Sequence, residues 1–328
     1  MTIFQPNIAS DWDQLIAEPA PHPEPANGDL DEQSIERFQA YILGLAPIAT
    51  PDVRQVWKAV RRVEMFNEHR PLGGRRLLII DGPSHVGKTT AILTEAIQQT
   101  RQARQAEPGR RPPPITWIYV EATPEGRGRA LAQALCRFCG IPFGRSDSAA
   151  TLVAQLAHIA QRMGLRGVII DDIHFLRAGR PEDANSLANV LKHLITAVPA
   201  TFVLIGINMA TTALVSRTKT GNSPADQIAN RADWVMLRPW PKEVDGAANT
   251  AWPRLVTSLA EGLAFPKGAG QCRLTSRATL DYLIDGSQQR PGTAAEWVTL
   301  AANHAIEHGR PLDRNALRAT HPQLRSRS

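Results

Sequence analysis

The sequence predicts an α/β fold: a parallel sheet sandwiched by helices, followed by a small helical domain. Three observations carry this. Short apolar runs recur through the middle of the chain: RLLIID at 76–81, ITWIYVEA at 115–122, RGVIIDD at 166–172 and ATFVLIGIN at 200–208. Helical stretches separate them, and near-continuous apolar strands alternating with helices are the pattern of a parallel sheet buried on both faces. After WVMLRPWPKEV (234–244) the strand-like runs fade, and segments near 252–264, 275–285 and 293–308 read as helices.

Taken in order, residues 1–33 are Pro-rich, acidic and poorly periodic, and read as a flexible arm. A helical pattern starts at Ile35. In PDVRQVWKAVRRVEMFNEHR (51–70), Val53, Val56, Trp57, Val60 and Val63 share one face, with Arg54, Lys58, Arg61 and Arg62 on others. The strand at 76–81 leads through a Gly-containing loop to the helix KTTAILTEAIQQTRQARQ. Two helices, GRALAQALCRFCGI and AATLVAQLAHIAQRMG, follow the second strand, and PEDANSLANVLKHLITAV follows the third. The expected division is an arm at 1–33, a nucleotide-binding core with its N-terminal helices at 34–245, and a helical lid with a basic tail at 246–328.

The chain is basic, with 37 Lys and Arg against 31 Asp and Glu. Residues 1–50 hold eight acids and a single base, Arg37, so the positive charge lies in the remainder. A basic body suggests a polyanionic partner, nucleic acid first. No apolar run is long enough to span a membrane, and no signal peptide is visible, so a cytoplasmic address is expected. The three cysteines, Cys136, Cys139 and Cys272, do not make a disulfide framework. The CxxC at 136–139 lacks two further zinc ligands and sits near a helix end, so its thiols are expected to be small core residues.

The strongest motif is Gly82-Pro83-Ser84-His85-Val86-Gly87-Lys88-Thr89, followed by Thr90. It matches G-x-x-x-x-G-K-[ST] in full, between a strand and a helix. The glycines permit a backbone curl that aims N–H groups at phosphate oxygens, and the helix adds its positive end. Lys88 would reach the β- and γ-phosphates, and Thr89 would offer its hydroxyl to Mg²⁺. His85 is expected to matter through its backbone. The motif implies a nucleoside triphosphate, ATP, with Mg²⁺ as cofactors.

A P-loop needs a second acid for the metal and the water. VIIDDIHFL supplies two at a strand end. Asp171 is placed to bind Mg²⁺ and Asp172 to orient or deprotonate the attacking water. Asn208 ends the fourth strand, where it would reach the water or γ-phosphate, or cap a helix. His174 reads as a helix-end or core histidine.

The order DGPSHVGKTT, VIIDDIH, LIGIN and QIANRADWVMLRPW resembles an AAA+ ATPase, and more narrowly the TniB/TnsC-type regulators of bacterial transposition, over roughly residues 50–318. The resemblance implies a P-loop AAA+ sheet with a C-terminal lid. It implies that Lys88, Asp172, Asn208 and Arg231 are catalytic, with Asn208 as the first sensor. Arg231 would be an arginine finger reaching a neighbouring subunit, with Arg217 its competitor. It further implies ATP-promoted assembly into a ring or helical filament on double-stranded DNA, recruitment of a transposase, a target-selection adaptor as a further partner, and a nucleoid-associated location. DNA would be held by its backbone, with Arg127 and Arg129 as candidate contacts and Arg110 and Arg111 behind them. Two features depart from the pattern. Asp172 stands where the usual residue is Glu, one methylene longer, so slow hydrolysis is expected. No Arg follows Gly292, where many such lids place a second sensor. Competing readings are a signalling or defence P-loop switch without a DNA role, and another DNA remodeller such as a helicase loader.

Overall fold

The computed structural model describes residues 9–17, 22–23, 31–69, 74–111, 113–122, 128–173, 181–212, 214–215, 223–265 and 272–321. Five strands form the central sheet: β1 (Leu77–Asp81), β2 (Trp117–Glu121), β3 (Gly167–Asp171), β4 (Thr201–Gly206) and β5 (Ala232–Met236). Their order is β2-β3-β4-β1-β5, and every pairing is parallel. Strands β1, β3 and β4 are buried throughout, which explains why they read as unbroken apolar runs.

Helices join and flank these strands. They are α3 (Pro51–His69), α4 (Lys88–Ala106), α5 (Gly128–Phe138), α6 (Ala149–Met163), α7 (Pro181–Ala197) and α8 (Pro224–Arg231). Helix α4 packs on β2 and β3, while α5, α6 and α7 pack on one another and α5 on β2. Good caps fix the ends. Ser148 accepts from Thr151 N–H at the start of α6, and Gly164 closes it in the left-handed region at φ 69°. Ser223 and Asp226 form a capping box at α8, with Pro224 in the first turn.

The chain divides into two compact units, and contacts rather than sequence order set the division. The first comprises residues 1–17, 52–83 and 88–237. The second comprises 18–51, 84–87 and 238–328. The expected boundary at 245/246 therefore falls at 237/238 instead. The N-terminal helix α2 (Glu32–Leu43) also groups with the second unit rather than with the core. The reason is its apolar stripe. Phe38 and Ile42 lie in one buried cluster with Trp252, Leu283, Trp297 and Leu317, and Tyr41 Oη donates to Gly262 O at 2.8 Å.

The second unit otherwise contains a two-residue hairpin, β6 (Glu243–Val244) and β7 (Ala247–Ala248), and the helices α9 (Ala251–Leu263), α10 (Arg277–Gly286), α11 (Pro291–Glu307) and α12 (Arg314–Ala319). The hairpin turns through Asp245 and Gly246, both at positive φ, a two-residue turn that matches strand twist. The tip of the Gly-rich loop, 84–87, packs within this unit: Gly292 N–H donates to His85 O at 3.0 Å. A Cβ on Gly292 would overlap that carbonyl, so only glycine fits there.

Part of the expected flexible arm is ordered. A short helix α1 (Trp12–Ile16) packs on α4 in the first unit. Trp12 is fully buried and meets Phe138 edge to face at 6.1 Å. Arg101 donates to the carbonyls of Leu15, Ile16 and Ala17, which satisfies the helix end. Arg104 pairs with Asp13 at 2.8 Å. Trp12 and Ile16 are one helical turn apart, a pattern too short to stand out among the surrounding prolines.

The CxxC is inert by burial. Burial pushes the Cys136 thiol up to about 11 and the Cys139 thiol to about 12, so neither is a thiolate near neutral pH. Among the described residues, no helix is long and apolar enough to cross a membrane.

Because Trp12 is a fully buried aromatic in a five-residue helix, Trp12→Ala should cost about 3 kcal/mol, the low end for such truncations. Urea unfolding of the full chain measures this, and Leu15→Ala, at a half-buried position, should cost less.

Candidate nucleotide-binding site

The Gly-rich loop leaves the buried end of β1 and enters α4 at Lys88. Its backbone passes through three positive-φ residues, Gly82 at 156°, His85 at 62° and Gly87 at 93°. At Gly87 a Cβ would meet nothing within 4 Å, so conformation and not space demands glycine. Lys88 is buried, and its ammonium donates to Gly82 O and Pro83 O, both at 2.8 Å. Burial lowers the Lys88 pKa, while Asp171, Asp172 and Asp81 hold it up. A buried cation at a helix start, short of full compensation, is the electrostatic setting of a phosphate site.

The acid pair lies across the sheet. Thr89 Oγ1 donates to Asp171 Oδ2 at 2.6 Å, joining residues 82 positions apart. Strand β4 runs between their two strands and ends in Gly206, in register with Asp81. A Cβ on Gly206 would overlap the Met209 side chain. Met209 N–H in turn donates to Asp81 Oδ2 at 3.0 Å. The other Asp81 oxygen is buried without a hydrogen-bond partner.

Two residues in this cluster carry no motif. Tyr119 Oη lies 3.0 Å from Asp171 Oδ2 and 3.2 Å from Glu121 Oε1. Glu121 sits in register with Asp171 on the neighbouring strand. Burial, then the charges of Asp171 and Glu121, push the Tyr119 pKa far up, so the phenol stays protonated. Its one hydrogen serves the two carboxylates by turns. The one available signal was a strand, WIYVE, that ends in a charged residue one strand away from the acids.

Asp172 lies at φ 52°, in the left-handed region, and its N–H donates to Asp171 Oδ1 at 2.7 Å. Asp, Asn and Gly are the residues that visit this region at little cost. The left-handed backbone at position 172 is one that Asp accepts readily. Asn208 is also left-handed, at φ 54°, and opens a short 3₁₀ turn, Met209–Thr211. Its side chain makes no capping bond and is exposed at the end of β4, on the strand between β1 and β3.

Arg231 ends α8 immediately before β5. Ala232 pairs with Leu77 and Met236 with Asp81, so Arg231 sits at the opposite end of β1 from the loop. At about 3.3 Å per residue the separation along the strand is about 16 Å. The guanidinium lies against Gly74, where a Cβ would overlap it. Arg129, at the start of α5, donates to the carbonyls of Gly144 and Arg145. Arg110 pairs with Glu107 and donates to Arg162 O. Arg127, His174 and Arg217 lie outside the described residues.

The sequence profile of the family described as "Bacterial TniB protein" matches residues 50–242. The chain belongs to the TniB family. The match takes in the loop, both acids, Asn208 and Arg231. No curated protein matches the chain. Solved structures share the fold. The TniB chain superposes on the Aeropyrum pernix ORC2 protein in its ADPNP–ADP complexes with a TM-score of 0.53 and 14% identity, covering 81% of this chain and 67% of that one. The Aeropyrum pernix ORC1 protein in complex with DNA gives 0.53 and 14%, over 87% and 67%. Drosophila ORC bound to DNA gives 0.54 and 12%, over 94% and 70%. The sheet order and the helical second unit of this TniB protein are those of an AAA+ ATPase fold.

The hydroxyl and carboxylate oxygens of Thr89 and Asp171 suit Mg²⁺, a hard cation that takes oxygen ligands. Tyr119→Phe removes the shared donor and leaves Asp171 and Glu121 facing each other with less screening. The variant should lose about 1.5–3 kcal/mol, the range for a hydrogen bond to a charged group. It should also need more Mg²⁺ to reach half-maximal nucleotide binding. Urea unfolding and a Mg²⁺ titration with a fluorescent ATP analogue read the two effects separately.

Proposed function

We propose that this TniB protein is an ATP-dependent AAA+ ATPase that assembles with its own copies on duplex DNA and recruits or regulates a transposase. The observation that carries the ATPase part is the contact of Thr89 Oγ1 with Asp171 Oδ2 behind a complete P-loop. ATP phosphates would lie against the backbone of Gly82–Thr90, with Lys88 exchanging its carbonyl acceptors for phosphate oxygens. Thr89 and Asp171 would hold Mg²⁺, which when bound neutralises charge on the β- and γ-phosphates. Asp172 would accept the proton of the attacking water, and Asn208 would orient that water. Tyr119 keeps Asp171 turned toward Thr89.

Arg231 is too far along β1 to serve its own loop, which supports a role on the nucleotide of a neighbouring copy. DNA binding is supported by family membership, by the basic charge beyond residue 50, and by fold relatives described in complex with DNA. Arg127 and Arg129 would meet the backbone. Arg129 would trade its two carbonyl acceptors for a phosphate, a charge-assisted and stronger partner. A transposase and a target-selection adaptor are the proposed protein partners, and the nucleoid the proposed location.

Two measurements test this. Asp172→Asn keeps the left-handed backbone and removes the base. Turnover should fall about 10²–10⁴-fold with ATP affinity unchanged. Unchanged turnover would remove Asp172 from the mechanism. Second, a non-hydrolysable ATP analogue should raise affinity for duplex DNA by about 5–150-fold, with affinity falling steeply as salt rises. An affinity indifferent to nucleotide would favour a P-loop switch without a DNA role.

A further inference from the structure

Helix α11 ends in the turn His304-Ala-Ile-Glu307-His308, which the nucleotide site does not use. A ligand atom from each of His304, Glu307 and His308 lies within 4.8 Å of the other two. The spacing explains the cluster: residues three and four apart on a helix stand one above the other. The imidazole rings are 4.2 Å apart between centroids.

A second observation concerns the tautomer. His308 Nδ1 lies 2.9 Å from His304 O. A carbonyl can only accept, so Nδ1 carries the hydrogen. The lone pair of the neutral ring is therefore on Nε2. Such a Nδ1–H···O=C bond is the usual outer support of a metal-ligating histidine, fixing both tautomer and ring orientation. His304 is half-buried and borders a cavity of about 240 Å³ lined also by Arg310, Asp313 and Asn315, while Glu307 and His308 are exposed. His308 is thus oriented by its carbonyl contact and His304 by partial burial, and the exposed Glu307 is the ligand free to close.

We propose that His304, Glu307 and His308 form a binding site for a divalent transition metal, zinc by its ligand set. Two imidazoles and a carboxylate are a three-ligand zinc set that leaves a fourth tetrahedral position open. Ligand atoms around a zinc at about 2.0–2.2 Å stand closer than 4.8 Å. Closing that gap falls to rotation of the exposed Glu307 side chain, with His308 kept on its carbonyl. The open position takes water or a carboxylate or imidazole from outside. The bound ion pins the last turn of α11 to the residue that caps it. The site lies within the second unit and does not depend on the nucleotide reading.

Isothermal titration of the full chain with ZnCl₂, after chelator treatment, tests this. One zinc per chain is expected, with a rise in Tm on zinc addition. His304→Ala and His308→Ala should each weaken that binding at least about tenfold, since even outer-shell losses at metal sites cost that much. Both should abolish the Tm rise while melting like the wild type in chelator. Glu307→Gln, which keeps size and exposure, should weaken binding and serves if a histidine variant is unfolded. His69→Ala is the matched control. Its Nδ1 makes the same contact with Met65 O at 2.9 Å, but it belongs to no cluster of potential ligands among the described residues. Zinc binding that survives both histidine substitutions, or that falls equally in His69→Ala, overturns the proposal.

Discussion

The hydrogen bond from Thr89 to Asp171 is the constraint on which the site depends. It joins the first turn of α4, which follows β1, to the end of β3, and β1 and β3 are not neighbours in the sheet. The observed sheet order places it across β4. Strand β4 lies between those two strands and ends in Gly206, where a Cβ would overlap the Met209 side chain. Tyr119 then approaches the same carboxylate oxygen from β2, on the other side. A helix start and a neighbouring strand thus converge on one carboxyl group at the end of β3. Burial of β1, β3 and β4 holds this edge of the sheet in register, so apolar packing is what sets the geometry of the polar cluster.

Charge is concentrated at that edge against the preference of a buried environment. Lys88 is desolvated, Asp171 is buried, and one oxygen of Asp81 has no partner. Three of the seven described non-glycine residues at positive φ belong to this site. His85, Asp172 and Asn208 are non-glycine residues at positive φ, and they lie on the loop and on the ends of two adjacent strands. Strain and unbalanced charge cluster where a protein must hold a ligand rather than where it only needs to fold.

Much of this was legible in the sequence, and the unread parts share a cause. The P-loop and the acid pair are local strings, and their strand context is local too. The sheet followed from four apolar runs and the helices between them. Tyr119 escaped because a buried parallel strand shows no alternation, and the terminal charge of Glu121 was the one mark on that strand. Helix α2 was assigned to the core by proximity along the chain, but its partners lie more than two hundred residues away. Trp12 was hidden in an acidic, proline-rich neighbourhood whose average composition outweighed two residues at helical spacing. The left-handed backbone at Asp172 was not legible either, because a dihedral angle leaves no mark in composition.

That angle has an evolutionary side. The residues a left-handed backbone accepts most readily after glycine are Asp and Asn, and both Asn and Gly are a single nucleotide from Asp in the genetic code. One base change at position 172 can therefore remove the carboxylate while leaving the strand end undisturbed. On the proposed role of Asp172, a form that holds nucleotide without consuming it is an immediate neighbour of this chain in sequence space. The same backbone makes the step to the longer Glu the more difficult one. The shape of one peptide unit thus biases which chemical variants of this ATPase can arise.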